Sequence, residues 1–180
     1  MAVLHAQFEL IHPFNDGNGR IGRLVIPLFL SHKKVLGSPM FYLSSYLERN
    51  RSEYYVRLQG ISKEGNWNSW IEFFLKAVLD QALENTEKVR AIRKLYDAMK
   101  DRIADITRSQ YSMQILDAVF DKPIFRTSDF LAKTEIPKQT AMPLLKILKE
   151  NSILSEIRSA SGRQAAVLQF PELLKITESR

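Results

Sequence analysis

The sequence predicts a mainly α-helical chain in two parts, linked by a long helix and closed by three helices plus a β-hairpin. Three observations predict this. Apolar residues recur at helical spacing over most of the chain, alternation is confined to two short runs after residue 153, and Gly, Pro and Asn clusters fall where helices must stop. With 180 residues, 45% of them apolar, there is material for one large core or two small ones.

The elements follow in order. Val3, Leu4, Phe8, Leu10 and Ile11 place a helix over Ala2 to Ile11, ended by His12-Pro13 because the residue before proline is pushed out of the α region. A helix already present at the first residue, without a cap or lead-in, predicts a piece of a larger domain. A second helix is predicted after Gly17-Asn18-Gly19, through Arg20 to about Lys33, burying Leu24, Leu28 and Phe29 and kinked at Pro27. Gly37-Ser38-Pro39 reads as a turn, and helical pieces follow at Leu43 to Asn50 and Ser52 to Ser62. After a loop at Lys63 to Asn66, Trp70, Ile71, Phe73, Phe74, Ala77, Val78 and Gln81 open a core-facing helix. Val89, Ile92, Tyr96, Met99, Ile103 and Ile106 then repeat near heptad spacing, a connecting helix that either packs back on the chain or forms a homodimer seam.

The character changes near Thr107-Arg108-Ser109, which divides the chain into residues 1–108 and 109–180. Helical patterns at Ser112 to Phe120, Thr127 to Lys133 and Pro137 to Glu150 precede short strands at Leu154 to Arg158 and Gln164 to Phe170, hinged at Ser161-Gly162-Arg163. Three helices and a hairpin describe a winged helix. A closing helix from Pro171 to Thr177 has proline where a helix tolerates it.

Composition narrows the chemistry. The absence of cysteine excludes disulfides, thiolate metal sites and thiol nucleophiles, and three histidines are too few for a histidine-rich metal cage, so any metal must sit on oxygen. No apolar run is long enough to span a bilayer and the first ten residues lack the pattern of a signal peptide, which predicts a cytoplasmic location. The formal charge of +6 suits phosphate-bearing partners and ordinary solubility alike.

The chemistry concentrates in His12-Pro13-Phe14-Asn15-Asp16-Gly17-Asn18-Gly19-Arg20-Ile21-Gly22-Arg23. Glycines on both sides of Asn18 let successive backbone N–H groups turn inward, and the helix behind them adds partial positive charge, which makes a phosphate seat. Arg20 and Arg23 lie three apart on the first turns, leaning back toward the helix N-terminus, and two guanidinium groups imply more than one phosphate. Asp16 is a lone carboxylate beside those phosphates, the usual protein share of a Mg²⁺ site. His12, whose ordinary pKa lies near neutrality, faces the same gap as a general base. Other readings of these letters fit less well. Gly17-x-Gly19-x-x-Gly22 matches a dinucleotide fingerprint that requires a preceding strand, and here a helix and a proline precede it. A calcium loop begun by Asp16 and Asn18 meets Arg20 at its next ligand position and has no closing glutamate. A plain surface turn accounts for the glycines and the proline only.

From Ile11 to Arg23 the chain resembles the signature of the Fic family, with the lead-in His5-Ala6-Gln7-Phe8-Glu9 and the stretches Tyr42 to Tyr46 and Glu53-Tyr54-Tyr55 also similar. The resemblance spans roughly Ala2 to Arg108. It implies His12 as general base, Asp16 on Mg²⁺, the backbone of Gly17, Asn18 and Gly19 with Arg20 on the α- and β-phosphates of ATP, and Arg23 on the γ-phosphate. Phe14 would anchor the loop in the core, and Tyr54 or Tyr55 would border the nucleobase, unless that pair serves packing. The implied activity is protein adenylylation: AMP passes from ATP to a Tyr, Thr or Ser hydroxyl of a protein, either a partner or the chain itself, with release of pyrophosphate. The family's substrate-aligning flap and N-terminal inhibitory helix have no counterpart here, so transfer by this piece is expected to be poor. The C-terminal part resembles the winged helices that follow such domains. Lys138 and Gln139 on its recognition helix and Arg163 at the wing tip would meet DNA, although ten basic against eight acidic residues from Gln110 onward, and Pro143 inside that helix, suit a protein-binding module equally. Two functions therefore stand, an adenylyltransferase and a DNA-binding regulator with a nucleotide-sensing Fic portion. His5 is expected to be a packed residue, His32 exposed, and Trp67, Trp70, Phe73 and Phe74 part of a core.

Overall fold

The computed structural model describes residues 1–37, 41–162 and 164–178. Among them the chain is mainly helical, with elements α1 (Ala2–Ile11), α2 (Asn18–His32), α3 (Ser44–Arg49), α4 (Arg51–Glu64), α5 (Trp67–Thr107), α6 (Ser112–Asp121), β1 (Ile124–Arg126), α7 (Thr127–Thr134), α8 (Lys138–Glu150), β2 (Ser155–Arg158), β3 (Val167–Gln169) and α9 (Pro171–Glu178). Two compact units divide at Thr86 and Glu87, inside α5. No described helix is long and apolar enough to cross a membrane.

In the first unit, Trp70, Phe74, Ile26 and Leu43 are fully buried, with Phe73, Tyr46 and Tyr54 packed among them. Each large side chain so buried contributes about 1.5–3 kcal/mol. The indole Nε1 of Trp70 donates to the carbonyl of Ala2 at 2.9 Å, tying α5 to the first turn of α1. Helix α2 turns a different face inward from the one its large residues predict. Gly22, Ile26 and Pro27 are buried, Phe29 is half-buried, and Leu24 and Leu28 are 52% and 49% exposed. The reason lies at Gly22, where a Cβ would stand 3.1 Å from Phe8 Cδ1 and overlap the Glu9 carboxylate. The Phe8 and Glu9 side chains of α1 thus occupy the space that a side chain at position 22 would need, and they pack on this face of α2. Helix α4 ends at Gly65, whose left-handed backbone (φ 64°) closes the turn with its amide on Ile61.

In the second unit, Ile115, Leu116 and Val119 of α6, Leu145 and Leu148 of α8, and Phe170 surround Ile103 of α5. Met99 is also buried here, with Ile92, Tyr96 and Ile106 against the cluster. The heptad-like stripe therefore packs within the chain from Ile92 to Ile106, while Val89 at its start is 65% exposed. The expected hairpin is formed by β2 and β3, and β1 joins it as a third strand, in the order β1-β3-β2 and antiparallel throughout, pairing Phe125 with Leu168 and Glu156 with Leu168. A bulge falls between Glu156 and Arg158. Strand β3 begins at Val167, since Gln164 bridges back to Ser161 instead. Lys138 and Gln139 are exposed at the start of α8, which runs through Pro143; Arg163, the expected wing-tip contact, lies outside the described residues.

Candidate active site

The segment from His12 to Gly17 joins α1 to α2 and builds one side of a cleft of about 360 Å³. His12 caps α1 in the left-handed region (φ 50°, ψ 57°), with its amide donating to Phe8 at 3.1 Å. Such a backbone costs a non-glycine residue about 1 kcal/mol or more. Its Nδ1 lies 3.4 Å from the carbonyl of Glu9. A carbonyl only accepts, so the neutral ring carries its proton on Nδ1 and leaves the Nε2 lone pair free.

The loop is closed by the buried side chain of Asn18. Its Oδ1 accepts from the Phe14 amide at 2.9 Å and its Nδ2 donates to the Phe14 carbonyl at 2.6 Å. Phe14 itself is 49% exposed, its ring 6.4 Å from that of Phe8 and not in the core. The amide staple of Asn18 serves in place of the expected aromatic anchor.

Gly17 stands at the N-cap of α2 with φ 83°, and no side chain caps the helix. Its amide donates to Asp16 Oδ1 at 2.7 Å, and its carbonyl accepts from Ile21 at 3.0 Å. The first amides of α2 carry the positive end of the helix dipole with no anionic side chain on them. Both arginines fold back toward that end. A Cβ on Gly17 would lie 3.6 Å from one Arg20 nitrogen, and a Cβ on Gly19 would lie 3.3 Å from one of Arg23. Asp16 Oδ2 is 3.5 Å from Arg20, and both side chains are largely in solvent.

The structure brings His12, Asp16, Gly17, Asn18, Gly19, Arg20, Arg23, Tyr54 and Tyr55 to this one cleft. Tyr54 is buried, with its hydroxyl 3.3 Å from His5 Nε2, while Tyr55 is 47% exposed and lies edge-on to it at 5.2 Å. Asn15, Leu47, Glu48 and Arg51 line the cleft as well. Arg51 sits over the Tyr55 ring at 5.7 Å and 3.8 Å from Glu48. Nothing in the local pattern at the junction of α3 and α4 signals this, because the cleft is formed by a distant part of the chain.

The Glu9 carboxylate lies against Gly22, and its Oε1 is buried without a hydrogen-bond partner among the described residues. Burial pushes its carboxyl above the usual range, opposed by the charges of Arg23 and His12. Burial also pushes the Tyr54 hydroxyl up. His5, fully buried as expected, is pushed down to about 4, chiefly by burial, with a smaller contribution from the Arg23 charge. Among the described residues, no group of three or more His, Asp or Glu gathers to hold a metal unaided.

Residues 1–30, which build the loop and most of α2, match the Fic/DOC family. A probable protein adenylyltransferase of Aquifex aeolicus is 37% identical over 57 residues, covering 32% of this chain and 15% of that protein. The match therefore spans a small part of the relative's length.

Proposed function

We propose, from the premise that its first thirty residues are a Fic/DOC segment, that this chain belongs to a protein adenylyltransferase. It would pass AMP from ATP to a Tyr, Thr or Ser hydroxyl of a protein, itself included, and release pyrophosphate. The observation that carries this reading is the uncapped N-terminus of α2, bordered by two guanidinium groups and sharing its cleft with a histidine whose Nε2 is free.

In this reading the amides of Asn18 and Gly19 with Arg20 hold the α- and β-phosphates at the Gly17 turn, whose own amide is bonded to Asp16, and Arg23 reaches the γ-phosphate. Tyr54 and Tyr55 border the nucleoside. His12 Nε2 takes the proton of the target hydroxyl as its oxygen attacks the α-phosphorus in line, and the bond to the departing pyrophosphate breaks. Placement and fixed positive charge supply the catalysis. Asp16 fits the protein share of a Mg²⁺ site. It is an exposed carboxylate next to the seat, with lone pairs left over after its bond to Gly17, and such ions take one or two carboxylates plus substrate phosphates. When bound, the ion would neutralise phosphate charge.

A second reading is favoured by the other unit, whose helix–strand–helix–helix–hairpin order suits a winged helix with Lys138 and Gln139 exposed at the head of α8. There the chain would be a DNA-binding regulator with a nucleotide-sensing Fic portion. Incubation with labelled ATP and Mg²⁺ separates the two. Label on protein, abolished by His12→Ala while nucleotide binding persists, is the expected result. Nucleotide-dependent retention on duplex DNA without label would favour the regulator, and loss of binding in step with activity would remove His12 as the base.

A further inference from the structure

His5 lies seven residues before His12 on α1, is fully buried, and uses both ring nitrogens. Its Nδ1 is 3.1 Å from the carbonyl of Gly22 on α2, and its Nε2 is 3.3 Å from the hydroxyl of Tyr54 on α4. The carbonyl can only accept, so Nδ1 carries the proton, Nε2 is the acceptor, and the Tyr54 O–H donates to it. The ring lies nearly parallel to that of Trp70, with centroids 6.1 Å apart and planes 15° apart. One imidazole thus joins the helix that ends at His12, the helix that starts the phosphate seat, and the helix that carries the aromatic wall of the same cleft.

Tyr54 is surrounded on its other sides by rings: Trp70 edge-on at 5.7 Å, Phe73 at 6.4 Å and Tyr55 at 5.2 Å. Ring contacts permit sliding, whereas a hydrogen bond fixes direction. The bond to His5 gives the Tyr54 side chain a directed polar tether, and through Gly22 that tether is referred to the helix whose first amides face the cleft.

We propose that His5 is a positioning residue for nucleoside recognition: it sets Tyr54, and with it Tyr55, at the distance from the phosphate seat that a nucleoside triphosphate requires. This rests on the nucleotide reading above. His5 touches no substrate and acts through Tyr54.

The test compares ATP with inorganic tripolyphosphate, which has the phosphates but no nucleoside, by calorimetric titration of the whole chain. In Tyr54→Phe the ring stays and the tether goes. The ratio of ATP to tripolyphosphate affinity is expected to fall about fivefold, the worth of one net hydrogen bond. His5→Asn, which keeps a donor near Gly22 and loses the acceptor for Tyr54, should lower the ratio equally, and the double variant should fall no further than either single one. A generally loosened fold would weaken both ligands together and leave the ratio unchanged. An unchanged ratio in both single variants, or additive losses in the double variant, overturns the proposal while leaving the phosphate seat intact. If the wild type binds neither ligand, the nucleotide reading falls, and this inference with it.

Discussion

Acidification should weaken the first unit through His5. The imidazole is fully buried between α1, α2 and α4, and its pKa is depressed from 6.5 to about 4 by burial above all, with a smaller push from the Arg23 charge. Tyr54 is its titratable hydrogen-bond partner, with a hydroxyl that burial keeps protonated, and Arg23 is the charged group that bears on it. Between pH 6.5 and 4 the unfolded chain binds a proton at His5 that the folded chain refuses, so stability falls as pH falls through that window and is fully present above it. Each tenfold difference in proton affinity between the two states is worth about 1.4 kcal/mol, so the loss approaches about 3 kcal/mol at pH 4. Both tryptophans, Trp67 and Trp70, lie in this unit, so urea denaturation followed by tryptophan fluorescence reports it. Carboxylates titrate in the wild type and in His5→Asn alike, and their contribution cancels in the difference between the two. That difference should narrow by about 3 kcal/mol from about pH 7 to about pH 4. A difference flat across this range would mean that the ring accepts a proton without leaving its place, and the burial argument would be wrong.

Asn18→Ala removes both bonds to Phe14 and leaves that backbone without its partner, at a cost of about 2–3 kcal/mol; the midpoint of urea denaturation should drop, and the rise in melting temperature expected from tripolyphosphate in the wild type should be absent in the variant. Gly22→Ala sets a methyl against Glu9 Oε1 and 3.1 Å from Phe8 Cδ1. The carboxylate is the mobile end of its side chain, so the cost should be about 1–2 kcal/mol, and adding Glu9→Ala should restore most of it in the same denaturation assay. Failure of that rescue would mean that Phe8 or the helix backbone, and not the carboxylate, is what the methyl displaces.

The loop from His12 to Gly19 was legible because its conformation is decided locally. Proline ends α1, glycine takes the positive φ at position 17, and the arginines stand a helical turn from the seat they fold toward. What stayed illegible depends on partners distant in sequence. Periodicity assigns the inner face of α2 to Leu24 and Leu28, yet the face that turns inward is the one holding Gly22, against the distant side chains of Phe8 and Glu9. Phe14 reads as an anchor by its hydrophobicity, but the anchor is an amide whose pairing with a backbone four residues away leaves no trace in a hydrophobic pattern. Strand β1 has three residues, too few for alternation to register, and only its pairing with β3 makes it a strand. Arg51 and Glu48 enter the cleft from a helix junction with no motif of its own.

Helix α2 is unfinished at one end. Its opening turn has no serine, threonine or aspartate side chain to complete it. Any anionic guest that docks there completes the secondary structure as well as occupying a pocket, and by mass action it raises the melting temperature in proportion to the logarithm of its concentration. For such a guest, heat resistance becomes a readout of occupancy in its own right.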